Sequence, residues 1–269
     1  MIYIILFGDS VDSLYTTKQS PMRQHLALLA AALVLPSCRK EESASPAAPP
    51  LPPSTSTALV LEHHVDGAQL AFDTISYVNE AGHAFSVTRL EYYVSEIILR
   101  GADCCGTPDH VIPGPFYING TMSNRFELGT LPAGEYTGAT LLLGLPASLN
   151  VTGALPNTMS NVNMAWPDMM GGGYHFMKFE GHFLNGTTPT GYAMHIGRNE
   201  NLPVCDMPQS FALHGQAGTL TLRFNLNEVF RDPHTYDLPS GSYSMGSMML
   251  MGLLKDNCAN AFTISHQPA

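Results

Sequence analysis

Two histidines, one tryptophan and a set of methionines are the residues whose chemistry most needs an explanation. His63 lies in residues 59–65 (LVLEHHV), where a period of two puts Leu59, Leu61, His63 and Val65 on one row and Val60, Glu62 and His64 on the other. An inward imidazole needs a hydrogen-bond partner or a metal, because an unpaired buried polar group costs about 1–3 kcal/mol. His195 lies in residues 192–197 (YAMHIG), opposite the large Tyr192, Met194 and Ile196 and beside the small Ala193 and Gly197. That leaves room for a ligand and equally suits a surface histidine. His175 and His182 flank one strand-like run, and seven residues place them on opposite faces unless a bulge intervenes, so both rank as secondary. Met164, Met169 and Met170 surround Trp166, the single Trp of the chain, and Met245, Met248, Met249 and Met251 form a second group. Methionine is a flexible core filler. Thioether and imidazole together, however, favour copper over zinc, calcium or magnesium, and they stay available where thiols are oxidised.

The thiols point to such a compartment. Five cysteines are an odd number, and assigning Cys38 to a lipid leaves Cys104, Cys105, Cys205 and Cys258. Neighbours across a trans peptide hold their side chains apart, so Cys104 and Cys105 are each expected to pair with Cys205 or Cys258. No C-x-x-C, G-x-S-x-G, H-E-x-x-H, Walker A or dinucleotide-binding glycine motif occurs, and nothing sets a nucleophile beside a base. The expectation is a binding protein with no catalytic residues, not an enzyme.

These side chains must be positioned by strands. Residues 219–226 (TLTLRFNL) alternate Leu220, Leu222, Phe224 and Leu226 against polar neighbours, and β-prone runs recur at 85–99, 138–145 and 174–183. Turn signals at Pro132-Ala-Gly134, Gly171-Gly-Gly173 and Asn185-Gly186 separate them. Only residues 247–261 suggest a helix. The pattern predicts an all-β fold, an antiparallel β-sandwich with long loops, over residues 58–266. Hydrophobic residues make up 45% of the 269, enough for a core of that size. Charged residues are 13%, and the net charge of -10 without a basic stripe excludes nucleic acid as a partner.

The N-terminal part reads as an address. Residues 1–21 precede a complete signal peptide and read as a mis-called start. Residues 22–37 carry Arg23, a short apolar stretch and the sequence LPS before Cys38, which together resemble a bacterial lipobox. Residues 38–57 are a Pro/Ala/Ser-rich tether. The expected location is an exported outer-membrane lipoprotein, facing the periplasm or the surface.

Residues 163–181 (NMAWPDMMGGGYHFMKFEG) resemble the MbnP-like family, exported copper-associated proteins with a Met-x-Trp-x-Trp, Gly-Tyr-Lys-Phe and Leu-Glu-Gly pattern. Met164, Trp166, Gly173, Tyr174, Phe176, Glu180 and Gly181 fit it, while Asp168 replaces the second Trp and His175 the Lys. Further blocks follow in the family's order: Leu61-Glu-His63, residues 87–99, LPAGEY at 131–136, Gly144-Leu-Pro, His195-Ile-Gly197 and residues 219–227. The resemblance implies copper bound by histidines together with a kynurenine made from tryptophan by a partner, a di-haem peroxidase-like enzyme. On that basis His63 and His195 are the metal ligands and Trp166 is the residue converted to kynurenine, with His175, Met245 and Met248 as possible additional ligands. The alternative is a surface adhesion or glycan-binding sandwich, in which Tyr92, Tyr93, Tyr174 and Tyr192 would stack on sugars.

Overall fold

The computed structural model describes residues 56–269, so the start, leader, lipobox cysteine Cys38 and nearly all of the tether lie outside the described residues. The strands in chain order are β1 (Thr57–Val65), β2 (Ala68–Gln69), β3 (Tyr77–Val78), β4 (Ala84–Phe85), β5 (Arg89–Gly101), β6 (His110–Ile112), β7 (Phe116–Asn119) and β8 (Arg125–Gly129). There follow β9 (Gly134–Leu143), β10 (His175–Asn185), β11 (Thr188–Gly197), β12 (Val204–Met207), β13 (Phe211–Leu213), β14 (Gly218–Asn225) and β15 (Phe262–Pro268). Helix α1 (Met159–Asn163) precedes β10, and α2 (Met248–Asn257) precedes β15. Among the described residues no helix is long and apolar enough to cross a membrane.

The strands form two sheets that face one another, as the alternation predicts. The smaller runs β15-β14-β1-β2 with β8 on β1, and the larger runs β12-β9-β5-β10-β4-β3 with β11 on β10. Strands β1 and β14 pair in parallel, whereas the other strand pairs are antiparallel. Their common register sets Leu59 against Leu220, Leu61 against Leu222 and His63 against Phe224, all on the inner face. Tyr92 of β5 meets them across the core, with its ring 5.4 Å from Phe224 and 6.3 Å from Phe262. A second aromatic group of Phe85, Phe179, Tyr192 and Phe230 closes the other end.

Strand β5 is long enough to serve two neighbours because it is bulged. Leu90, Tyr92 and Val94 point inward, then Ile97 and Leu99 do, so the inward parity shifts by one residue around Glu96. Glu96 absorbs the shift at φ 48, a costly conformation for a residue with a Cβ, and its N–H donates to the Pro113 carbonyl at 2.9 Å. The first half of β5 pairs with β10 and β7, and the second half with β9 and β6.

The cysteine expectation is corrected here. All four described cysteines are free: Cys104 and Cys105 are exposed, while Cys205 and Cys258 are buried. The first two follow β5 beside Glu135, whose carbonyl accepts from Ala102 N–H. Cys205 instead pairs with Leu141, six residues further along β9, which is about 20 Å at the rise of a strand. A disulfide spans at most about 7 Å between Cα atoms, so neither Cys104 nor Cys105 reaches Cys205 in this fold, and Cys258 is free as well.

His63 makes the core pH-sensitive. It is 8% exposed and its Nε2 lies 2.8 Å from the Tyr92 hydroxyl. Burial, aided by the neighbouring His64, lowers its pKa from 6.5 to about 4. The unfolded chain therefore binds a proton that the folded chain refuses between those values, and stability falls as pH drops below 6.5. Denaturant unfolding followed by fluorescence should show a loss on the order of 3 kcal/mol from this group by about pH 4. His63→Gln should flatten that slope, and an unchanged slope would refute the assignment.

Candidate metal centre

The site residues gather on the outer face of the larger sheet, away from the core. In the β10–β11 hairpin, Met177 faces Ile196 and Phe179 faces Met194 on the inner side, so Lys178, Glu180, Ala193 and His195 occupy the outer side. The register shifts between His175 and Met177, a bulge that places Phe176 and Met177 both inside and turns His175 outward. The His175 and His195 rings then meet edge to face, 5.0 Å apart and at 89°. Two consecutive apolar residues, Phe176 and Met177, interrupt the alternation and are the signal in the sequence that marks such a bulge. His182 shares the outer face but is exposed.

Each of the two imidazoles has one nitrogen tied back by an acceptor. His195 Nε2–H donates to Glu180 Oε1 at 2.8 Å, which leaves a lone pair on Nδ1. That Nδ1 is buried and has no hydrogen-bond partner among the described residues. His175 Nδ1–H donates to the Met164 carbonyl at 3.1 Å, so its lone pair is on Nε2. Burial, with the charge of Lys178 adding to it, lowers the His175 pKa to about 3 and keeps this imidazole neutral. Such backing by carboxylate or carbonyl fixes ring orientation and tautomer, as in the outer shells of metal-binding histidines.

Glu180 is itself supported. The hydrogen bond from His195 holds its carboxyl below the usual range against the opposing effect of burial, and Arg89 lies 3.4 Å away. Arg89 also binds Glu91 at 2.6 Å. Backbone atoms of His195 are clamped by Ser244, whose Oγ accepts from His195 N–H and donates to its carbonyl, both at 2.7 Å.

Trp166 forms the third wall. It is 1% exposed, with its ring 4.6 Å from that of His175. Its backbone N–H donates to the Gly173 carbonyl at 2.9 Å and its indole N–H to the Met170 carbonyl at 3.3 Å. The ring lies on Gly197, where an added Cβ would come within 2.5 Å of Cε3. The Gly197 carbonyl in turn accepts from Asn201 Nδ2, which also lies 3.6 Å from Met248 Sδ and 3.7 Å from the buried Met251 Sδ. Met245 directly follows the Ser244 clamp and is half-buried.

The structure thus brings Trp166, His175 and His195 together, with Met248 beyond Asn201, but not His63. His63 faces the core through Tyr92, whose strand partner Met177 lies on the inner side of the same sheet, opposite the face that carries His195. Glu180, Asn201 and Met251 are site neighbours that strand parity alone does not reveal. Among the described residues no group of three or more His, Cys, Asp or Glu could hold a metal ion. Beyond the two imidazoles, any further donors would therefore be thioethers or a group derived from Trp166. Tyr92, Tyr93, Tyr174 and Tyr192 are all buried and offer no exposed ring face for stacking on sugars.

Gly197→Ala should push the indole off its shelf. The expected cost is about 1–3 kcal/mol by overpacking, with the single-tryptophan emission shifting to longer wavelength. Unchanged emission and melting temperature would show that Trp166 is not held there.

A family profile described as MbnP matches residues 54–249. The solved structure of MbnP from Methylosinus trichosporium is similar at 13% identity and a TM-score of 0.47, over 80% of this chain and 99% of that one. No curated protein sequence matches. The profile covers most of the chain and spans Trp166, His175, Glu180, His195 and Met248, and on that ground the chain belongs to the MbnP family.

Proposed function

We propose that this protein is an exported, lipid-anchored copper-binding protein serving copper acquisition, storage or homeostasis, and that it is not itself an enzyme. The observation that carries the reading is His195 Nδ1, a buried lone pair with no partner among the described residues, next to a second imidazole that burial keeps neutral. Leaving such a group unpaired costs about 1–3 kcal/mol, which a ligand would relieve. The donors at hand are imidazole nitrogens and thioethers, a set that suits copper and offers little to calcium or magnesium. His175 and His195 would hold the ion, and Met248, whose Sδ lies 3.6 Å from Asn201 Nδ2, would be the candidate for a further donor.

Trp166 cannot ligate as it stands, because its indole N–H only donates. Oxidative opening to kynurenine would supply an amine and a carbonyl beside His175, and the partner for that step would be a di-haem peroxidase-like enzyme. A lipid on Cys38, followed by the tether, would keep the domain at the outer membrane. Glu180 and Arg89 would orient His195 and leave its Nδ1 available.

The test is copper content by elemental analysis of protein from its native host, with the mass of the Trp166 peptide. His195→Ala and His175→Ala should each lower bound copper at least about tenfold, since loss of an outer-shell partner of a ligand alone costs about 10–100-fold. His63→Ala should retain copper while losing stability. Copper-free wild-type protein with an unmodified Trp166 would overturn the proposal. Full copper in the His175→Ala/His195→Ala double variant would refute this ligand set.

A further inference from the structure

The two exposed thiols are placed for chemistry of their own. Strand β5 ends at Gly101, and residues Asp103–Cys105 form a single 3-10 turn capped by Gly106 in the left-handed region at φ 67. Three hydrogen bonds close this turn: Cys105 N–H to the Ala102 carbonyl at 3.1 Å, Gly106 N–H to Asp103 at 3.2 Å and Thr107 N–H to Ala102 at 3.3 Å. Asp109 Oδ1 accepts from Gly101 N–H at 2.9 Å and ties the far side. In an extended chain adjacent side chains would diverge. In this turn they converge, and Cys104 Sγ lies 2.9 Å from Cys105 Sγ.

We infer that Cys104 and Cys105 form a vicinal dithiol–disulfide couple at the protein surface, exchanging with small or protein disulfides of the export compartment. Forming the bond requires the sulfurs to close from 2.9 Å to the roughly 2.05 Å of a disulfide, with the peptide between them adjusting to the small ring that results. One thiolate attacks an external disulfide and releases one external thiol. The neighbouring thiolate then displaces the second. In sum the protein loses two protons and two electrons and gains one S–S bond, while the external disulfide becomes two thiols. Exposed bonds of this kind are the readily reduced ones, so the couple can run in both directions. The hydrogen bond with Cys104 holds the Cys105 thiol above its ordinary pKa. Cys205 and Cys258 serve as internal controls, since burial raises both thiols and excludes reagents. The inference is independent of the copper reading.

The experiment uses the full chain, reduced and then equilibrated with oxidised glutathione, followed by trypsin and mass spectrometry. Cleavage after Arg100 and Arg125 yields one peptide that holds Cys104 and Cys105 and no other cysteine. The expected product is that peptide lighter by two hydrogens and free of glutathione, with Cys104 and Cys105 reacting fast and Cys205 and Cys258 slowly in the native chain before oxidation. Cys104→Ser should instead trap glutathione on Cys105 as a stable mixed disulfide. A wild-type peptide carrying two glutathiones, or one linked to Cys205 or Cys258, would overturn the proposal, and the wild-type mass decides this whether or not the variant folds.

Discussion

One extra residue in β10 governs the site. In a regular strand His175 would share the inner face with Met177 and enter the core. The bulge between His175 and Met177 keeps the core filled, by Phe176 and Met177 together, and sends the imidazole to the outer face. A hairpin register that sets Lys178 opposite His195 then brings the second imidazole to the same place. The covering segment depends on the same turn, since His175 N–H bonds the Met164 carbonyl at 2.7 Å and fixes where Trp166 follows. Bulges cluster beside functional sites because they re-aim one side chain at little cost to the rest of the ladder.

The surroundings of the pair orient both rings, and burial keeps His175 neutral. Lys178, itself buried, donates its ammonium to the Asn163 carbonyl, and its charge opposes protonation of His175. Glu180 takes the His195 proton in a hydrogen bond and is answered by Arg89. The result is a line from Arg89 through Glu180 to His195, ending on a nitrogen with no hydrogen-bond partner among the described residues. In a chain with so few charged residues, this concentration of them on one face is a local feature, not the general surface.

The cysteines show the same dependence on local backbone. Divergence of neighbouring side chains holds for extended chain, but the 3-10 turn after β5 rotates successive residues by roughly a third of a turn and closes the gap. The strand ladder separates Cys105 from Cys205 along β9. Pairing thus follows from turn geometry and strand length, neither of which a cysteine count contains.

Alternation of apolar residues was enough to determine strands, an all-β core and which of His63 or His64 points inward, because side-chain direction in a strand follows directly from position. It was also enough to set His195 opposite Tyr192, Met194 and Ile196. The order of the motif blocks determined the family, and the short helix at α2 was legible from residues 247–261. What only the tertiary structure decided were the departures from period two. The bulge promotes His175, the sheet interposed between them separates His63 from His195, and long-range pairing supplies Glu180 and Ser244. Those outcomes rest on ladder register and on contacts between residues far apart in the chain, which a local pattern cannot encode.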